Sequence, residues 1–227
     1  MSFQGRPPPP PPKTPGARTS PVNLPRMVGI LIGVNVAIHL LQAAMPPSWA
    51  HWVVIHLGFV PARWSVGTLN WSALLGPVTH QFLHGGLAHL FVNMIMLAAF
   101  GSGVERLLGP RRLLLLFLIS GVAGAAAHYV AYPTGTLPVV GASGAISGLF
   151  GAILRLMAKN PSVSGGFLRI LPVVLIWIAI SVITGFTGMP GSGEAQVAWA
   201  AHIGGFLFTL IFFDVFTIGA WPRRAGE

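Results

Sequence analysis

Two short stretches carry residues able to do chemistry together. Gly141-Ala142-Ser143-Gly144 opens one apolar segment, and Ala201-His202-Ile203-Gly204-Gly205 opens another about 60 residues later. An isolated serine hydroxyl is unreactive at neutral pH, and a histidine within hydrogen-bond reach turns it into a nucleophile. Acyl transfer also needs donors for an oxyanion, each contributing roughly 3–4 kcal/mol. His89 and Asn93 are four residues apart and share a helix face. The backbone N–H of Ser143, in the first turn of its helix, has no intrahelical acceptor and lies at the positive end of the helix dipole. These three groups form a candidate oxyanion site. The competing reading of Asn93 is packing glue between helices. Ser147 competes for the nucleophile role one turn deeper, but lacks the glycine two residues earlier that lets a carbonyl approach the backbone, so Ser143 is preferred.

The chemistry available is narrow. The chain has four acidic residues, Glu105, Glu194, Asp214 and Glu227, and no cysteine. Asp214 lies about 18 Å deeper along its helix than His202, so a Ser-His dyad fits better than a triad. The same scarcity excludes an HExxH zinc protease and a pair of intramembrane aspartates. His80, His84 and His89 crowd one edge without carboxylate or thiolate partners, which disfavours metal or haem ligation. His80 and His84 are expected to cap and position the loop before the second span. No cofactor is expected.

These groups need elements to hold them. Of 227 residues, 53% are hydrophobic and only 7% charged, against roughly 25% charged in a soluble domain. The pattern is that of an all-α polytopic membrane protein. A span needs roughly 20 apolar residues, and six are expected: 27–45, 87–104, 113–132, 142–157, 168–186 and 197–218. The second and fourth are short, which implies ends sunk below the membrane surface and covered by protein or a water-filled cavity. Gly144, Ala145, Gly148, Gly151 and Ala152 on the fourth span face Gly204 and Gly205 on the sixth. Small residues at such spacings let helix backbones touch.

The formal charge of +9 comes from basic residues scattered between apolar spans, and reads as a topology signal rather than a nucleic-acid surface. Arg6, Lys13, Arg18, Arg26, Arg106, Arg111, Arg112, Arg155, Lys159, Arg169, Arg223 and Arg224 fall on one side of a six-span bundle and Arg63 alone on the other. Both termini are therefore expected in the cytoplasm, with the polar groups of interest in the outer half of the bilayer. Residues 1–25, with a run from Pro7 to Pro12, read as a disordered cytoplasmic tail without the apolar core of a secretory signal. Residues 26–220 form the six-helix domain and 221–227 a short tail. Loop 46–86 interleaves Trp49, Trp52, Trp64 and Trp71 with prolines and glycines. It is expected to lie partly in the outer leaflet as short helices.

The ordered set His80-x3-His84-x4-His89-x3-Asn93, Gly141-Ala142-Ser143-Gly144-Ala145 and Ala201-His202-Ile203-Gly204-Gly205 resembles the rhomboid family of intramembrane serine proteases, from about residue 80 to 208. The resemblance implies Ser143 as nucleophile, His202 as general base, and His89 and Asn93 at the oxyanion, with Gly141, Gly144 and His84 in support. It implies transmembrane segments of other membrane proteins as substrates, cut near the outer face of the bilayer. A prokaryotic inner membrane is the expected location, and a non-catalytic rhomboid-like binder of transmembrane helices is the alternative. Three positions depart from the family pattern. Leu75 and Gly76 stand where many rhomboids carry Trp-Arg, Ser147 stands where an aromatic often lies beneath the histidine, and Thr209 replaces the second glycine of a GxxxG pair. The segment 168–186 and the following loop, 187–196, are expected to form a mobile gate and cap.

Overall fold

The computed structural model describes residues 24–67, 69–159, 166–187 and 198–218. The proline-rich stretch, most of the loop 187–196 with Glu194, and the C-terminal tail with Glu227 lie outside the described residues.

Among the described residues ten α-helices follow in order: α1 (Arg26–Ala43), α2 (Pro47–Leu57), α3 (Ala62–Ser65), α4 (Trp71–Thr79), α5 (Leu87–Met96), α6 (Ser102–Leu108), α7 (Pro110–Ala131), α8 (Ser143–Lys159), α9 (Gly166–Thr187) and α10 (Trp199–Thr217). A 3-10 turn, His80–Phe82, follows α4, and a π-helical segment, Leu97–Gly101, joins α5 to α6. The expected short second span is corrected here. The helix continues through the π segment from Leu87 to Leu108, 22 residues in all, because the turn that ends it is Gly109, at φ +87°.

Among the described residues five helices, with α5 and α6 counted as one, are long and apolar enough to cross a membrane. The fourth expected span, α8, has 17 residues. At 1.5 Å per residue it covers about 25 Å, less than a hydrocarbon core of about 30 Å. It lies at the centre of the bundle, packed between α7 and α10, with Ala145, Leu149 and Ala152 fully buried. Glycines make that packing close. A Cβ on Gly144 would sit 3.3 Å from the carbonyl oxygen of Ala201, one on Gly151 2.8 Å from that of Phe206, and one on Gly205 would collide with the carbonyl of Gly144. Thr209 fills its place with a bond: its hydroxyl pairs with Ser120 of α7 at 2.8 Å, both side chains fully buried.

Charged residues tie helix ends together. Arg155 and Lys159 lie in the last turns of α8, and both pair with Asp214 on α10, Arg155 at 3.2 Å. Long basic side chains reach out from helix ends in this way. Asp214 is more than half exposed, so this clamp contributes little to stability. Glu105 does more. It is buried, and its carboxylate accepts the backbone N–H groups of Met27 (3.0 Å) and Val28 (2.9 Å). Pro25 gives α1 no side-chain cap, so α6 supplies it.

The loop 46–86 is helical, as expected, in α2, α3 and α4. Its four tryptophans are exposed, and Trp52, His56 and Trp71 stack on one another.

Candidate functional site

The first turns of α5, α8 and α10 meet at one end of the bundle. Ser143 Oγ and His202 Nε2 share a hydrogen bond of 2.7 Å across 59 residues of sequence. The contact follows from the packing below it: with no side chain on Gly205 in the way, the two helix backbones approach until a serine and a histidine, each in a first turn, span the gap.

Gly141 shapes the space beside the pair. Its φ of +129° lies in the region that favours glycine. A Cβ there would stand 2.9 Å from His89 Nε2 and 3.6 Å from Ser143 Oγ. The imidazole of His89 and the hydroxyl of Ser143 thus border one small opening that only glycine leaves free. Asn93, one turn further along α5, is buried with its Nδ2 unpartnered. A buried amide donor without an acceptor is costly.

His80 and His84 split. His80 Nδ1 donates to the carbonyl of Gly76 at 3.0 Å, and the His80 carbonyl accepts the N–H of Gly141 at 2.9 Å. It ties loop 46–86 to the stretch before Ser143. His84 is buried and packs edge-on against His89, ring centroids 5.2 Å apart. Burial, with the His89 and His39 rings adding to it, pushes the His84 pKa down to about 3. Burial likewise lowers that of His80 to about 4. Both rings are neutral at physiological pH.

Ser147 is buried and donates its hydroxyl to the carbonyl of Ser143 at 2.7 Å. That bond turns the hydroxyl back along its own helix. At the Leu75-Gly76 departure, a Cβ on Gly76 would lie 3.0 Å from the Gly58 carbonyl oxygen and 3.4 Å from the Cα of Phe59. The α2–α4 approach leaves no room for a larger residue. Of the described acidic residues, Glu105 caps α1 and Asp214 binds Arg155 and Lys159, so neither joins the Ser-His pair. Among the described residues no cluster of histidine and acidic groups has metal-site geometry.

A helical membrane bundle with a serine and a histidine paired at one end is a narrow class. Residues 72–217 match the family model described as the Rhomboid domain. The chain is 37% identical over 138 residues to Rhomboid protease GluP of Bacillus subtilis, covering 61% of this chain and 24% of that protein. It is 31% identical over 168 residues to Putative rhomboid protease YdcA of the same organism, covering 71% and 78%. It is also 28% identical over 148 residues to Inactive RHOMBOID-like protein 8 of Arabidopsis thaliana, covering 63% and 40%. The chain belongs to the rhomboid family and is a multi-pass integral membrane protein. It spans about a quarter of the length of GluP.

Proposed function

We propose that this chain is an intramembrane serine endopeptidase that cuts transmembrane segments of other membrane proteins near the outer face of the bilayer. The observation that carries the reading is the 2.7 Å bond between Ser143 and His202. His202 Nε2 takes the proton of the Ser143 hydroxyl as the oxygen attacks the scissile carbonyl carbon. The oxyanion is received by His89, the unpartnered Asn93 amide and the backbone N–H of Ser143. His202 then protonates the leaving amine, and the acyl-enzyme is released when His202 activates a water for the reverse sequence of bond changes. No metal or cofactor enters these steps.

The accompanying topology has six crossings with α8 as the fourth, both termini in the cytoplasm and the dyad end facing outward, in a prokaryotic inner membrane. Residues 26–220 are the catalytic domain, flanked by the tails 1–25 and 221–227. Substrate enters past α9, the least embedded of the spans: 17% of its most apolar 18-residue window is buried, against 39% of that in α7 and in α10. The alternative, a non-catalytic binder of transmembrane helices, is worth separating because one relative is named inactive.

Purified protein in liposomes with a panel of single-span substrates decides between them. Ser143→Ala removes cleavage by about four orders of magnitude or more, whereas Ser147→Ala stays within about tenfold of wild type. Cleavage that survives Ser143→Ala, or a wild type that binds the panel without cutting it, overturns the protease reading.

A further inference from the structure

Arg63 is the one Lys or Arg between residues 46 and 86, and the dyad chemistry does not use it. It lies in α3, a helix of four residues, too short to hold its shape alone. On one side α3 holds the stretch that leads to Ser143. Ala62 N–H donates to the carbonyl of Gly135 at 2.9 Å, and the Ser65 hydroxyl donates to that of Pro133 at 2.6 Å. Just before α3, Phe59 and Val139 exchange both backbone hydrogen bonds, at 3.0 and 2.8 Å. On the other side Arg63 Nη1 donates to the hydroxyl of Ser72 on α4 at 2.7 Å. Ser72, 2% exposed, hands its own hydrogen to the carbonyl of His56 at 2.6 Å. Helix α4 leads in turn to His80, whose carbonyl holds the N–H of Gly141.

The segment 132–142 is therefore gripped on both flanks, by α3 and Phe59 on one and by His80 on the other. Arg63 joins the two flanks to each other. Arg63 is half-buried, and its guanidinium meets a buried hydroxyl that is itself committed to a backbone carbonyl.

We propose that Arg63 is a positioning residue. Through Ser72 it locks α3 to α4, and so holds 132–142 in the register that sets Gly141 and Ser143 against His89 and His202. The inference rests on the reading of Ser143 as nucleophile, and acts on kcat rather than on substrate binding.

The test uses the full-length protein with Arg63→Ala, Arg63→Lys, Ser72→Ala and the Arg63→Ala/Ser72→Ala double variant. Amide hydrogen exchange reads the lock without reference to activity. In Arg63→Ala, peptides covering Val139 and Gly141 exchange ~10-fold faster, while the cores of α7 and α10 keep their protection. Cleavage of a single-span substrate shows kcat lowered ~10-fold or more at unchanged KM, as small misplacements of reacting groups produce. Arg63→Lys, which still presents a donor to Ser72, recovers most of the loss. The double variant is no worse than Arg63→Ala alone. Unchanged exchange at 132–142, a rise in KM at constant kcat, or additive single losses overturns the proposal. Should Arg63→Ala fail to fold, Ser72→Ala breaks the same link and carries the same readouts. A wild type without activity sinks the protease reading alone, since exchange still decides the lock.

Discussion

The carbonyl of Gly144 occupies the place where any side chain on Gly205 would have to go. The distance between α8 and α10 is thus set by two residues without Cβ atoms, and the Ser143–His202 bond lies at the end of that seam. Gly205→Ala forces the helices apart at backbone, which cannot rotate away as a side chain can. We expect cleavage to fall by about a hundredfold or more, as a 1 Å misplacement of reacting groups does. Labelling of Ser143 by a fluorophosphonate should fall in parallel. Near-normal turnover in Gly205→Ala would show that the seam does not set the dyad.

Asn93 separates catalysis from stability. Removing one oxyanion donor costs roughly 10²–10³ in kcat. Removing a buried, unpartnered amide relieves a desolvation penalty of about 1–3 kcal/mol, set against the packing lost with the side chain. Asn93→Ala is expected to be nearly inactive and to unfold no more easily than wild type. Marked destabilisation would favour the packing-glue role that the sequence also allows.

The Ser120–Thr209 bond joins α7 to α10 beneath the site. Thr209→Val leaves the Ser120 hydroxyl buried without a partner, and interhelical bonds of this kind contribute about 0.6 kcal/mol on average, up to about 1.7. Unfolding measurements should show a loss in that range for Thr209→Val. Most of it should be recovered in Ser120→Ala/Thr209→Val, where both polar ends are gone. A double variant that loses the sum of the two single effects would contradict the coupling.

His80 predicts acid sensitivity. Its pKa is near 4 when folded, against an ordinary value of 6.5, because burial disfavours the charged ring. Between those values the unfolded chain binds the proton and the folded chain does not, so stability is complete above about pH 6.5 and declines as pH falls toward 4. His80→Asn keeps a donor for the Gly76 carbonyl and has nothing to titrate. Its unfolding temperature should fall less steeply over that window, the remaining slope including His84, whose folded value is lower still. Identical slopes for the two proteins would count against it.

What was legible in the sequence was local. Ser143, His202, His89, Asn93 and the small-residue seam each declare themselves within a few residues, and helix periodicity converts that spacing into faces and depths. The short helices of loop 46–86 were expected on a different ground, the preference of its tryptophans for the membrane interface. What escaped depends on chain segments far apart. Glu105 reads as one more charge near a helix end, and nothing in its neighbours says that Met27 and Val28, 77–78 residues away, supply its donors. The Arg155–Asp214 pair spans 59 residues. The π segment at Leu97–Gly101 has no composition of its own, so the second span read as shorter than it is.

Gly109 is at once the last residue of α6's cap and the first of α7's. A join one residue long carries no slack, so at that end the second and third spans behave as the two limbs of a folded clip. Any excursion that opens the bundle sideways must hinge elsewhere. A few residues spliced in beside Gly109 would uncouple limbs that the native chain moves as one.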